Sequence, residues 1–519
     1  MKNVKKCAIM FTENSLYSRE DIMLSKSRYC LYTQCPKCLW LRVNRPELAP
    51  KDASLDTRME TGNEVGDLAM GLFGDFTEVT AFREDGNLDL SKMISRTTEL
   101  INNGENIICE ASFSYKGNYC AVDILKKESG GYAVYEVKSS TGFSPVYATD
   151  IAYQKYILEK CGVNVTGTFL VCINSEYTRR GDIDLQRFFK IINVRDEVSC
   201  RSPQVEQNIA AANAVLSLDS LPECDLSENC NSPYTCAFWN YCAEHLPSPS
   251  VFDLYRFGFN KAVECYRQGV VSFDDIKPIA NGGNKIRSLQ IKHALQDLET
   301  HIEKDGIREF LDTLSFPLYF LDFETMQPVI PEFDGTRPYQ QIPFQYSLHY
   351  ILTDGGELHH KEFLAESGED PRRALAERLC EDIPTDVCVL AYNKGFECGR
   401  IRELAATFPD LAEHLLAIAD NIKDLIDPFR AGFYYNRAMG GSFSIKSVLP
   451  AIFPNDPSLD YHNLEGVHNG SEAMEMFPKI KDMPPDEAAR ARKSLLRYCE
   501  LDTYAMVKIW DELRRACGV

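Results

Sequence analysis

Strands and helices alternating along two separate stretches of chain predict a mixed α/β protein built from two domains. Short runs rich in β-branched and aromatic residues at 107–113, 121–125, 135–138 and 163–173 read as strands, and 146–158 and 205–218 carry helical spacing. A second series opens with an apolar strand at 316–325, continues with a strand at 387–391 and closes on a helix at 495–506. Between the two series, His245-Leu-Pro-Ser-Pro-Ser250 is a proline and serine hinge. The predicted division is therefore residues 1–246, a helical connector at 247–314 with a turn at 281–284, and residues 315–519.

A chain of 519 residues is too long for one ordinary domain. Its 44% hydrophobic and 25% charged residues suit a globular protein with ample core. No apolar run is long enough to cross a bilayer, and the first six residues lack the sustained apolar region of a signal peptide, so the expectation is a cytoplasmic protein with no membrane partner. The net charge of -20 counts against a nonspecific nucleic-acid coat, yet a local basic groove can coexist with acids that bound metal offsets. Nineteen cysteines in a reducing compartment point to metal or cluster ligation rather than disulfides.

In chain order, Ser25 is suited to cap a helix that leads into Cys35-Pro36-Lys-Cys38. The strand at 107–113 offers Glu110, and the next offers Asp123. After the turn-prone Glu128-Ser-Gly-Gly131, a strand presents Glu136 and Lys138 on one face, because alternate side chains share a face. The helix that follows carries polar residues, among them Asp150 and Gln154, able to face the same place. Carboxylates crowded in this way repel unless a divalent cation binds them, and Mg²⁺ or Mn²⁺ favours oxygen ligands together with phosphate. A lysine beside them stabilises charge on an attacking water or on phosphoryl oxygens.

This order of residues resembles the PD-(D/E)xK nucleases of the RecB type, including the CRISPR-adaptation nucleases, in which a strand-borne Asp, Glu-x-Lys and a helix with a Gln-x-x-x-Tyr-like element form the active centre. The resemblance implies Asp123, Glu136 and Lys138 as the core, Asp123 and Glu136 as metal ligands, and Glu110 and Gln154 as helpers. Many relatives carry a metal-binding His in the first helical region. Thr61-Gly-Asn-Glu64-Val-Gly-Asp67 supplies none, so either Glu64 or Asp67 substitutes or the site holds one metal fewer.

Cys224, Cys230, Cys236 and Cys242 form an even ladder set among Pro, Asn and aromatic residues, and thiolates this concentrated bind a soft ion or a cluster. The arrangement resembles the iron-sulfur nucleases of the RecB type, where one cysteine before the nuclease core and three after it hold a [4Fe-4S] cluster. The resemblance implies Cys35, Cys230, Cys236 and Cys242 as ligands, with Cys38 and Cys224 as spares, and a cluster that staples the domain at a distance from the chemistry. Zn²⁺ on four thiolates is the alternative.

The connector has no chemical signature, and Lys285, Arg287 and Lys292 read as a solvated face more readily than as a nucleic-acid contact. Beyond it, the strand at 316–325 ends in Asp322-Phe-Glu324, which places two acids on one face, a beginning for a two-metal site. Asn393-Lys-Gly-Phe396-Glu397 follows a later strand, and Tyr498 and Asp502 share a helix face at i and i+4. These segments, in this order, resemble the DEDD (DnaQ-like) exonucleases with the RNase H-like fold. The resemblance implies Asp322, Glu324 and Asp502 as metal ligands and Tyr498 as the residue that positions water. Glu397 stands where the family has Asp, with a longer side chain to reach the metal. Ser444 and Lys446 lie in a segment similar to the family's substrate-side loop, where Ser444 serves equally as a helix cap.

Taken together the chain looks like a member of a bacterial family that fuses the two nuclease types. The resemblance implies a metal-dependent DNA nuclease with two hydrolytic centres, in DNA repair or defence against foreign DNA. RNA as substrate, and an end-binding protein with one or both centres inactive, are the alternatives.

Overall fold

The computed structural model describes residues 23–50, 54–280 and 284–518. The extreme amino terminus and residues 281–283 of the expected connector turn lie outside them. The chain divides into two compact units, Met1–His245 with Val329–Tyr339, and Leu246–Pro328 with Gln340–Val519. The residues expected to form a connector thus count with the second unit, and a loop drawn from the second half of the sequence counts with the first. Each unit is a mixed sheet flanked by helices. Among the described residues no helix is long and apolar enough to cross a membrane.

The first unit is built on strands β1 (Leu24–Ser25), β2 (Thr77–Glu78), β3 (Ile107–Tyr115), β4 (Asn118–Glu128), β5 (Gly131–Lys138), β6 (Val165–Ile173) and β7 (Phe189–Asn193). Their order is β2-β3-β4-β5-β6-β7, with β1 parallel to β4. β3, β4 and β5 form an antiparallel meander, and β6 runs parallel to β5 after a crossover through the helix Pro145–Lys160.

Period-two alternation sorts β5 between two cores. Tyr132 and Val134 join the core under the Pro145–Lys160 and Arg195–Leu216 helices, while Ala133, Tyr135 and Val137 join the opposite one with Val65 and Ala69 of the helix Ser54–Met70. Glu136 and Lys138 therefore point to the face that the Pro145–Lys160 helix covers. In β3 and β4 the alternation changes phase. Ile108 and Ala111 share the first core although they are three residues apart, as do Val122 and Leu125. The change falls on Glu110 and Asp123, which would face each other in the ladder but are missing from it, and Glu110 adopts a left-handed φ of 57°.

Val329–Tyr339 is held within the first unit by Arg179, whose guanidinium Nη1 donates to the carbonyls of Pro331 and Glu332, each at 2.8 Å. Tyr339 hydrogen-bonds Ser139, the residue after Lys138.

In the second unit β8 (Thr300–Ile302) pairs with β14 (Tyr434–Asn436), and the main sheet contains β9 (Leu318–Met326), β10 (Ile342–Ile351), β11 (Leu358–Leu364), β12 (Cys388–Ala391) and β13 (Ile422–Asp424) in the order β11-β10-β9-β12-β13. β9 to β11 are antiparallel, and β12 and β13 continue parallel to β9. Tyr319, Leu321 and Phe323 enter a core with Leu375, Leu379, Ile401 and Leu404. The alternate residues Phe320, Asp322 and Glu324 take the other face, where Phe320 meets Trp510 of the helix Pro485–Cys517 with ring centroids 5.8 Å apart. Lys285 pairs with Glu303 at 2.7 Å and Arg287 donates to the Tyr255 and Arg256 carbonyls, so these two cations are engaged within the second unit.

Candidate functional site

The first cluster forms where β4 and β5 part. Their pairing ends at Ile124 and Tyr135, and beyond it the Val137 N–H donates to Asp123 Oδ2 at 2.7 Å. A side chain has taken the place of a ladder carbonyl, which satisfies the backbone donor and fixes Asp123 at the fork. Glu136, 0% exposed, gathers three donors: Lys138 Nζ at 2.5 Å and Lys26 Nζ at 2.9 Å, both on Oε1, and Gln154 Nε2 at 2.7 Å on Oε2. Lys138 also donates to Asp150 Oδ2 at 3.0 Å, and Gln154 Nε2 to Asp150 Oδ1 at 3.1 Å. Asp150 and Gln154 lie one turn apart on the Pro145–Lys160 helix, so both face the sheet.

Electrostatics follow from that packing. Burial and Asp123 push the Glu136 carboxyl up, but Lys138 and Lys26 outweigh them and hold it below the usual range. Burial first, and then Asp123, raise Glu110 to about 8. Burial would lower Lys138, yet Asp150 and Glu136 keep it firmly protonated. The backbone at Glu110 is left-handed, costly for a residue with a Cβ, and its carboxyl feels the charges of both Asp123 and Glu136.

Sequence reasoning brings Glu110, Asp123, Glu136, Lys138 and Gln154 to one place, and the fold gathers them. It misses Lys26. Glu64 and Asp67, one of which is expected to replace the family's histidine unless the site holds one metal fewer, are both exposed on the helix Ser54–Met70, and among the described residues Lys26 reaches Asp123 and Glu136 from the amino-terminal region. Its position depends on β1 docking beside β4 and on Ser25, whose hydroxyl accepts from the Arg28 N–H to start the helix Lys26–Gln34.

The six cysteines 35, 38, 224, 230, 236 and 242 converge in the same unit. Cys35 and Cys224 sulfurs lie 3.6 Å apart, and the Cys38 thiol bonds Cys236, which is thereby held down at about 6. The two expected spares therefore touch two of the expected ligands, and all six remain eligible. Four thiolates on one zinc, each about 2.3 Å from it, stand about 3.8 Å from one another. The Cys35–Cys224 separation is of that order.

The loop that carries Cys230 and Cys236 approaches the first acid cluster through an aromatic pair. Tyr234, between Cys230 and Cys236, hydrogen-bonds Tyr147, and Lys138 Nζ stands 5.7 Å from the centre of the Tyr147 ring. Gln34 Nε2 ties this loop to the first helix by donating to the Asn229 and Tyr234 carbonyls.

In the second unit β9 and the helix Pro485–Cys517 bring Asp322, Glu324, Tyr498 and Asp502 together. Ligand atoms of Asp322, Glu324 and Cys499 lie within 4.8 Å of one another. Tyr461 donates to Asp502 Oδ1 at 2.6 Å, and Lys446 Nζ stands 5.3 Å from the ring centres of both Tyr461 and Tyr498. Gly470 closes over the acids: a Cβ there would lie 3.6 Å from Glu324 Oε2 and 4.0 Å from the Tyr498 hydroxyl. A cavity of about 380 Å³ opens beside Glu324, bounded by Phe396, Lys446, Asn469 and Gly470. Ser444 stands at the N-cap position of the helix Ile445–Ile452, but its hydroxyl bonds the Ser447 hydroxyl at 3.0 Å and caps no backbone N–H.

Glu397 enters from the helix Gly395–Thr407, whose N-cap is Lys394 and which follows Asn393 at a left-handed φ of 70°. It is 2% exposed, acts on Asp322, and leaves Oε2 without a hydrogen-bond partner. Burial and then Asp424 push it up to about 8. Burial also raises Asp502 to about 6, while burial and Asp502 drive Asp322 and Glu324 well above the usual carboxylate range. Sequence reasoning also misses Tyr461 and Cys499. Cys499 follows Tyr498 directly, and Tyr461 is separated from Asp502 by forty residues with no spacing signal.

The second acid set fits a divalent ion: ligand atoms of Asp322, Glu324 and Cys499 lie within 4.8 Å of one another, and Glu397 Oε2 is a buried oxygen without a partner. In the first set the acids offer oxygen donors, and Gln154 Oε1 is buried without a partner, but no three ligand atoms there lie that close among the described residues. The family described as a domain of unknown function (DUF2779) matches residues 319–444, a stretch that includes Asp322, Glu324 and Glu397 and stops short of Tyr498 and Asp502. No curated protein matches the chain.

Proposed function

We propose that the chain is a metal-dependent nuclease with two hydrolytic centres, a PD-(D/E)xK centre of the RecB type in the first unit and a DEDD centre on an RNase H-like fold in the second, acting on DNA. The observation that carries the reading is that acids gather in each unit, Glu110, Asp123 and Glu136 from consecutive strands in one, and Asp322, Glu324, Glu397 and Asp502 from segments far apart in sequence in the other. A bound Mg²⁺ or Mn²⁺ would supply a lowered pKa for a coordinated water and charge stabilisation on the phosphoryl oxygens. Asp123 and Glu136 would hold it in the first centre, and Asp322, Glu324 and Asp502 in the second.

The chain's own groups account for the rest. Lys138, anchored between Glu136 and Asp150, keeps a fixed ammonium at the edge of the first site, where it neutralises charge that builds on the phosphate. Gln154 locks Glu136 and Asp150 in one orientation. In the second centre Tyr498 lies against Asp502 and Glu324, a place from which its hydroxyl orients water, and Lys446 sits at the mouth for the substrate phosphate. Cys35, Cys230, Cys236 and Cys242 would hold a [4Fe-4S] cluster, with Cys38 and Cys224 able to exchange for two of them.

The test is cleavage of end-labelled single- and double-stranded DNA, and of matched RNA, with Mg²⁺ or Mn²⁺. Lys138→Ala and Asp322→Ala are each expected to remove one component of the activity, and loss of neither would end the reading. A second reading, in which the second centre grips a nucleic-acid end without cutting, is favoured by Glu397, a buried acid raised to about 8 where the family has Asp. Mn²⁺ binding that ignores Asp502→Ala would select it.

A further inference from the structure

The Lys26 ammonium lies where a cation held by the first centre would lie. It is 2.9 and 3.2 Å from the two Glu136 oxygens and 3.5 Å from Asp123 Oδ1, the two carboxylates that would ligate metal. Lys138, by contrast, bridges Glu136 and Asp150 and approaches from the helix side. Two cations thus serve one buried carboxylate, and of the two it is Lys26 that also stands within ion-pair distance of Asp123. An unpaired buried carboxylate is costly, so Lys26 gives Glu136 and Asp123 a counter-ion when no metal is present. An ammonium and a divalent ion cannot share that position.

We propose that Lys26 is an internal competitor for the first centre: a divalent ion enters only as the ammonium leaves Asp123 and Glu136, and the displaced ammonium takes a phosphate of the nucleic acid as its new partner. This rests on the nuclease reading of that centre and adds to it a positioning residue and a coupling. Metal and phosphate each favour the displaced state of Lys26, so each tightens binding of the other. The side chain has room for the change, because 27% of it is exposed and it stands in the first turn of its helix.

Mn²⁺ titration of the full chain, followed by calorimetry and electron paramagnetic resonance, tests this without any cleavage. The second centre is silenced by Asp322→Ala with Asp502→Ala, and folding of every variant is checked by circular dichroism. Lys26→Ala is expected to bind Mn²⁺ about tenfold more tightly at the first centre, and Lys26→Arg to bind as weakly as the parent. A phosphorothioate oligonucleotide that resists cleavage should tighten Mn²⁺ binding in the parent and lose that effect in Lys26→Ala. Should Lys26→Ala not fold, Lys26→Gln carries the same expectation. Equal or weaker Mn²⁺ binding in the neutral variant overturns the proposal. Glu136→Ala separates the two failures: if it abolishes Mn²⁺ binding while the neutral variant shows no gain, only the role of Lys26 falls, and if it leaves binding intact, the metal reading of the centre falls too.

Discussion

The two acid clusters solve the same electrostatic problem in opposite ways. In the first unit, buried Glu136 is held below its ordinary value because Lys138 and Lys26 overcome burial. In the second, Asp322, Glu324, Glu397 and Asp502 are all raised, because the cations near them, such as Lys446 at the mouth, do not offset burial and mutual repulsion. A cluster neutralised by lysines stays charged without metal and keeps its geometry. A cluster neutralised by protons must lose them before it becomes a good ligand set. On the nuclease reading proposed above, Glu136 and Asp123 would exchange one cation for another, whereas the second centre, like Glu110 in the first, would exchange protons for metal.

The contrast can be broken most sharply at the acids themselves. Glu136→Ala and Asp502→Ala are each expected to lower the cleavage of their own centre by roughly 10²-fold or more and to leave the other, which rate measurements on substrates resolved by end and strand type would check. Next in size is Lys138→Ala, which strips Glu136 and Asp150 of a shared partner. We expect it to destabilise the metal-free first unit by about 3 kcal/mol, read by chemical denaturation, with Mn²⁺ restoring part of the loss.

The pH response should separate the clusters by sign. Folded Asp502 titrates at about 6 and Glu397 at about 8, above the unfolded values of 3.8 and 4.5, so the folded second unit binds more protons than the unfolded chain between those limits. Its stability in chelator is expected to be complete at about pH 4 and to fall as pH rises to about 8. Glu136 runs the other way: its contribution is present above the ordinary Glu range and is lost as pH falls through its lowered value. Glu110, raised to about 8, follows the second unit's sign, so Glu110→Gln should sharpen the difference in melts from pH 5 to 8.

The smallest effect concerns Tyr461. Its hydroxyl bond holds Asp502 lower than burial alone would, so Tyr461→Phe should raise the Asp502 value further and cost about 1 kcal/mol. The cleavage optimum of the second centre would move to higher pH, and an unmoved profile would separate Tyr461 from the chemistry.

Much of both clusters is legible in the order of residues. Glu136 and Lys138 share a face because strands alternate, and Tyr498 and Asp502 share one because four residues make about a turn of helix. The cysteine ladder is legible from spacing. Glu110 is legible as a nearby acid but not as a strained residue with a left-handed φ. Tyr234 is hidden, because its approach to Tyr147 depends on how the cysteine loop folds back. Asp322 and Asp502 come together because β9 packs against the last long helix, which no local pattern announces.

The sequence by itself determined a mixed α/β protein, the strand faces that carry the acids, and the thiols available for ligation, since these follow from local period and residue type. Tertiary structure alone decided that Lys26 reaches Glu136 across more than one hundred residues, that all six cysteines converge, and that Val329–Tyr339 counts with the first unit. Local periodicity says which way a side chain points. What waits there is set by packing of distant segments, and no pattern within a single stretch of chain encodes it.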